Sequence, residues 1–124
     1  MDIHTGTTPL EILPVATRTA SANGSAVDMR DYVGKVAFLL HSEAGSGTTP
    51  TQDVKLQDSA DGSTDWQDIT GATFSQITDA AGAFESIGVL INGARRYVRA
   101  VAPIAGTTPS FAAGVSAVGK KQNN

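Results

Sequence analysis

The sequence predicts an all-β fold: a single-domain β-sandwich of about eight short strands, with a small closed barrel as second choice. Three observations carry this. Turn signals recur roughly every ten residues. The runs between them are short and rich in Val, Ile, Leu, Thr and Phe. No window holds a sustained helical period of apolar residues flanked by start and stop signals. The turns fall at Asn23-Gly24, Gly45–Pro50, Asp61-Gly62, Gly71, Ala81-Gly82, Asn92-Gly93 and Gly106–Pro109.

Strands are expected at about 10–20, 25–29, 35–42, 52–58, 65–70, 73–77, 84–91, 95–103 and 110–118. Asp28–Val33 is the one place where a single helical turn fits, capped by Asp28 or Asp31. Val36–Leu40 is continuously apolar, as in a strand buried on both faces or covered by a partner. Val54 and Leu56 alternate with Lys55 and Gln57, so one face is wet. Ile87, Val89 and Ile91 share a face. In the last strand Phe111, Ala113, Val115 and Ala117 share one face. Its other face, Ala112, Gly114, Ser116 and Val118, is also uncharged and is expected to meet another subunit.

Residues 1–9 are expected to form an N-terminal arm, 10–118 the sandwich and 119–124 a polar tail. Such arms order on neighbours in an assembly, which makes His4 and Thr5 candidate partner contacts. Gly-Thr-Thr-Pro occurs at 6–9, 47–50 and 106–109. Unequal spacing argues against a repeat unit and for three turns built from the same chemistry, Gly supplying the permissive dihedral and Pro opening a strand.

The chain of 124 residues is 40% hydrophobic and 17% charged, enough apolar content for one core. It has no cysteine, so disulfides and thiolate metal sites are absent, which is compatible with synthesis in the cytoplasm. The N-terminal stretch has an early acid and no long apolar run, and nothing approaches the ~18 apolar residues of a membrane span. No dense basic patch with interleaved aromatics is present, so neither nucleic acid nor membrane is an expected partner. Residues 51–78 carry Lys55 against five aspartates, a net of −4, while 79–124 carry a net of +3. These segments either pair head to tail between copies, which favours a closed ring such as a homotrimer, or form a solvated surface.

No catalytic constellation emerges, and the chain is read as a non-enzyme with no cofactor. His4 and His41 lack the companions a zinc site needs, and no serine has a recognisable base. An EF-hand alignment on Gly62 puts Gln57 where the first carboxylate belongs and Asp68 where Glu is normal, so it fails. The segment instead reads as a hairpin. Asp61-Gly62 turns the chain, Ser59 and Asp61 bond its backbone, and Trp66 packs over it or into the core. It resembles the Asp-box of sialidase propellers, but the spacing is off by one residue and a single copy makes no propeller.

The stretch Val54–Ser63 with Trp66 and Ile69 resembles small structural proteins of tailed-phage and prophage morphogenesis clusters. So do Arg95-Arg96-Tyr97-Val98-Arg99-Ala100-Val101 and the following Gly106–Phe111. The order of elements is similar over about residues 30–120. The resemblance implies a jelly-roll-like sandwich and a virion component on the capsid surface, a decoration or cement protein whose partners are the major capsid protein and copies of itself. The alternative it leaves open is a head–tail, tail or fibre component that binds a receptor or carbohydrate. Arg95, Arg96 and Arg99 are then candidates for bidentate contacts to a partner's carboxylates, or ordinary surface arginines lying on aromatic neighbours.

Overall fold

The longest strand, β10 (Ile104–Lys121), organises the molecule in the computed structural model, which describes residues 8–121. Its second half lies between β1 (Thr8–Arg18) and β4 (Tyr32–Ser42), and β8 (Ala83–Leu90) closes that sheet in the order β1-β10-β4-β8. Its first half pairs with β5 (Ser46–Gln52). The second sheet has the order β2 (Ala22–Asn23), β9 (Tyr97–Ala102), β6 (Lys55–Ser59), β7 (Gln67–Thr73), with β3 (Val27–Asp28) also on β9. All pairings are antiparallel, and the sheets stack as a sandwich without closing into a barrel.

Alternation decides which side chains fill the space between the sheets. From the first sheet come Ile12, Val36, Phe38, Leu40, Phe111, Val115 and Ala117; from the second, Leu56, Ala72, Val98 and Ala100. All are nearly or fully buried. Val36–Leu40 is therefore buried on one face only, since Ala37 is exposed and Leu39 half-buried.

The two Gly-Thr-Thr-Pro copies at 47–50 and 106–109 lie inside β5 and β10 and face each other, with Thr48 opposite Thr107. They share one backbone: Gly47 and Gly106 have φ of 113° and 120°, Thr49 and Thr108 have 47° and 48°. A Cβ at Gly47 would lie 2.5 Å from the Thr108 carbonyl oxygen, and one at Gly106 2.9 Å from Thr49 O. Each motif is the other's partner, so a stretch that reads as a turn becomes a matched pair of bulges. The third copy lies partly outside the described residues.

Other boundaries moved for local reasons. Gly71, with φ of 80°, bulges β7 where a strand break was expected, so one strand replaces two and residues 74–77 run on with only a bridge from Ile77 to Gln52. Residues 25–29 shrink to β3, because Gly24 bonds Ala100 and Val27 pairs with Val98, so Ser25 and Ala26 both fall opposite Arg99 and leave the ladder. Residues 29–32 form a turn, Tyr32 N–H donating to Met29 O, and the helical turn does not form. Thr8 and Pro9 belong to β1 and pair with Gly119 and Val118, which brings both presumed extensions partly into the sheet.

Gln52 is fully buried; its Oε1 accepts from Ser42 Oγ at 3.3 Å, and its Nε2 has no partner among the described residues. Ser42 Oγ also reaches Glu43 O at 2.9 Å, so it keeps a partner without Gln52. An unpaired buried amide costs about 1–3 kcal/mol. Gln52→Met, similar in length and apolar, is expected to raise stability by about 1 kcal/mol. A thermal melt checks this, and a lower melting temperature would contradict it.

Candidate docking surface

Each sheet turns its second face outward, and the two outer faces differ in chemistry. On the second sheet the face is polar and internally satisfied. Lys55 Nζ meets Asp68 Oδ2 at 2.9 Å, Gln57 Nε2 donates to Asp68 Oδ1 at 2.9 Å, and Arg99 Nε and Nη2 donate to Gln57 Oε1 at 3.1 and 2.9 Å. The Arg99 guanidinium lies over the half-buried Trp66 ring, 4.3 Å from its centroid. The donors on Asp68, Gln57 first and then Lys55, hold its carboxyl below the ordinary range.

The connection between β6 and β7 is built as the sequence indicated, but longer than a two-residue turn. Ser59 is buried, and its Oγ accepts from the N–H groups of Asp61 and Gly62. Asp61 Oδ1 accepts from Ser63 N and Thr64 N at 3.0 and 2.9 Å, and its Oδ2 from the Thr64 hydroxyl at 2.7 Å. Those donors, the two backbone N–H groups foremost, hold the Asp61 carboxyl far below its usual range. Gly62, at φ of 79°, sits on the Tyr97 ring. Trp66 covers the hairpin's outer side beneath Arg99 and does not enter the core.

Arg95 clamps this hairpin to the entrance of β9. Its Nε donates to Asp58 Oδ1 at 2.9 Å, its Nη1 to Asp65 Oδ2 at 3.1 Å, and its Nη2 to the carbonyls of Asp58 and Asp65. Arg96 forms a bidentate pair with Asp28 at 3.1 and 2.7 Å. Among the described residues, Arg95 is thus the residue of the basic end that pairs with the acidic middle within one molecule, while Arg96 pairs with Asp28 outside that segment. Of the three arginines, Arg99 alone has no carboxylate partner among the described residues. His4 and Thr5 lie outside them.

The Arg96 guanidinium, helped by the Arg30 N–H, lowers the Asp28 carboxyl to about 2. A depressed carboxyl contributes stability that is present above its unfolded value and is lost as pH falls towards 2. Because Asp28 is 41% exposed, the pair is worth at most about 1 kcal/mol. In Arg96→Ala the Asp28 titration, followed by carboxyl NMR, should move up towards the ordinary aspartate range, and a folded variant with an unmoved titration would contradict the assignment.

The outer face of the first sheet is of another kind. The register sets out its rows: Glu11, Ser116, Leu39 and Ser86; Pro9, Val118, Ala37 and Gly88; and Gly114, His41 and Phe84. The bulge in β1 after Leu13 lays Val15 over Gly114, where a Cβ would collide with it at 2.5 Å. Arg18 bonds the carbonyls that this bulge leaves free, at Pro14 and Ala16, and also Ala113 O. Val15 and Phe84 are 79% and 77% exposed, Leu90 55%. His41 stands edge-on to Phe84, ring centroids 5.7 Å apart. Charge appears only at the margins, with Glu11 towards β1 and Lys35 and Lys120 at the far end. A surface of small and apolar residues with exposed Val, Leu and Phe lowers its free energy by burial against another protein.

Sequence reasoning found the β10 strip of this face, Ala112 to Val118. It also offered Leu39, within an apolar run that a partner could cover, but missed Val15, Phe84 and Leu90 and considered His41 as a zinc ligand without companions. The signal was present in β8: Phe84, Ser86, Gly88 and Leu90 alternate with the inward set, whereas only the inward residues were read.

The fold defines a class, an antiparallel β-sandwich with one outer face that is apolar apart from charges at its margins. No family model matches the sequence, and no curated protein matches it. Solved structures share the fold. A chain from the structure of infectious bursal disease virus, Gx strain, aligns with a TM-score of 0.59 at 8% identity, over 95% of this chain and 32% of that one. The protein YomS, derived from the SPBc2 prophage, aligns at 0.51 with 12% identity over 91% of each chain. A chain from Bacillus endospore appendages, described as disulfide-linked pili, aligns at 0.51 with 10% identity over 94% of this chain and 88% of that one. The present chain spans about a third of the viral chain. At such identities the likeness is one of fold.

Proposed function

We propose that this chain is a non-enzymatic structural component of a virion, a decoration or cement subunit that docks on the capsid through the outer face of the β1-β10-β4-β8 sheet. One observation carries the reading: the contrast between that face, apolar within its margins and with Val15 and Phe84 more than three-quarters exposed, and a second sheet on which Lys55, Gln57, Asp68 and Arg99 satisfy each other. Fold likeness to proteins from a virus, a prophage and a pilus supports an assembling role. Arg99 lies on the opposite face, bonded to Gln57 and stacked on Trp66, so it is not assigned to this contact. The expectation of a homotrimer draws on the uncharged last strand and the charge asymmetry; Arg95 pairs with Asp58 and Asp65 inside the chain, so self-association rests on exposed edges and faces. The test is co-sedimentation of face variants with shells that lack the protein: charges placed in this face should weaken binding, and equal binding by a folded variant would rule the face out.

A second reading, a receptor- or carbohydrate-binding module on a tail or fibre, is favoured by the half-exposed Trp66 under Arg99. Stacking of sugar rings on exposed aromatics is the chemistry it would use. Trp66→Ala separates the two, because it removes that platform and leaves the first sheet's face intact.

A further inference from the structure

We propose that β8 is a dimerisation edge, at which two copies pair antiparallel about a two-fold axis through Ile87 and continue the first sheet from one chain into the other. An edge strand offers a row of unpaired N–H and C=O groups, and proteins blunt such rows with proline, lysine, bulges or brevity. The other edges here are blunted. β1 has Pro9, Pro14 and two register shifts, β5 has Pro50 and two positive-φ residues, β7 has the Gly71 bulge and Asp68, and β2 and β3 are two residues long. β8 has none of these; its one charged residue, Glu85, turns inward, where it accepts from the Ser75 N–H at 2.9 Å. It keeps unbroken register with β4 from Ala83 to Leu90, and no other backbone bond reaches it among the described residues.

The occupant follows from the strand's own symmetry. About Ile87, an antiparallel pair sets Phe84 opposite Leu90, Glu85 opposite Val89 and Ser86 opposite Gly88. The two most exposed large apolar residues of β8, 77% and 55% accessible, then cover each other across the seam on the outer face. No like charges meet, and the small Ser86 and Gly88 leave the backbones free to approach. Pairing with β1 of another copy would run into Pro9, Pro14 and the bulges, which argues for the closed two-fold arrangement over an open chain. The proposal rests on the reading of this chain as an assembling subunit and doubles the width of its docking face.

The chain has no cysteine, so engineered thiols report cleanly. The Phe84→Cys/Leu90→Cys variant should form a reducible covalent dimer under mild oxidation, joined by two symmetric disulfides. Either single variant should not, because its two thiols would lie about 20 Å apart. Unmodified protein should dimerise reversibly in sedimentation at submillimolar concentration, and Phe84→Ser/Leu90→Ser should weaken that dimer at least about tenfold. A folded double-cysteine variant that stays monomeric, single variants that cross-link as readily as the double, or unmodified protein that is strictly monomeric would each overturn the pairing. A monomer that still binds shells would remove the β8 pair alone, whereas a dimer that fails to bind shells would remove the docking role alone.

Discussion

Gly47→Ala and Gly106→Ala are each expected to lower the free energy of unfolding by about 3 kcal/mol. Both glycines hold φ near the centre of the region that side chains rarely adopt, 113° and 120°. Both also press backbone to backbone against the opposite motif, so a methyl at either meets a main-chain atom that cannot swing aside. Gly34 provides the control. Its φ is 72°, but a Cβ there would find nothing within 4 Å, so Gly34→Ala carries only the conformational cost, about 1 kcal/mol. Urea unfolding of the three variants gives the comparison. If Gly47→Ala costs no more than Gly34→Ala, the interlocked pair of motifs contributes nothing beyond its dihedrals.

Placing two charges in the docking face should weaken shell binding at least about 100-fold while leaving the fold intact. Ala37→Glu with Ser116→Lys is the informative pair. Both residues are exposed and add nothing to the core. In the free protein each new charge has a favourable neighbour: the introduced glutamate stands beside Lys35 on the same face, and the introduced lysine opposite Glu11. Against a shell, both would lie in the middle of an apolar contact and lose their water. The control is Thr70→Lys, exposed on β7 in the other sheet, which should bind as the unaltered protein does. Co-sedimentation with shells lacking the protein, and circular dichroism for folding, decide the matter. Equal binding by a well-folded Ala37→Glu/Ser116→Lys variant would rule out this face.

What could be read from the sequence were properties set by neighbours along the chain. Alternation marked the inward residues of β6, β8 and β10, and Asn, Asp and Gly marked the turns; β4, continuously apolar at Val36–Leu40, did not show which of its faces turns inward. The Ser59–Trp66 hairpin was legible because its bonds are local. What could not be read depends on which strands lie side by side. Gly47–Pro50 looks like a turn until it is set against Gly106–Pro109, far along the chain, where the two become partners. The charge asymmetry was visible, but its pairing within the chain follows from β6 lying against β9, which brings Asp58 to Arg95. Exposure of Phe84 follows from the place of β8 at the end of the sheet, and no local pattern states which strand comes last.

Cryo-electron microscopy of the assembled particle shows which face of the sandwich is covered. Protein density is expected against Val15, Leu39, His41 and Val118, with the Trp66–Arg99 side reached only at its margin. A map in which the outer face of the β1-β10-β4-β8 sheet stands open to solvent, and the subunit is attached through the second sheet or absent from the particle, would contradict docking through that face.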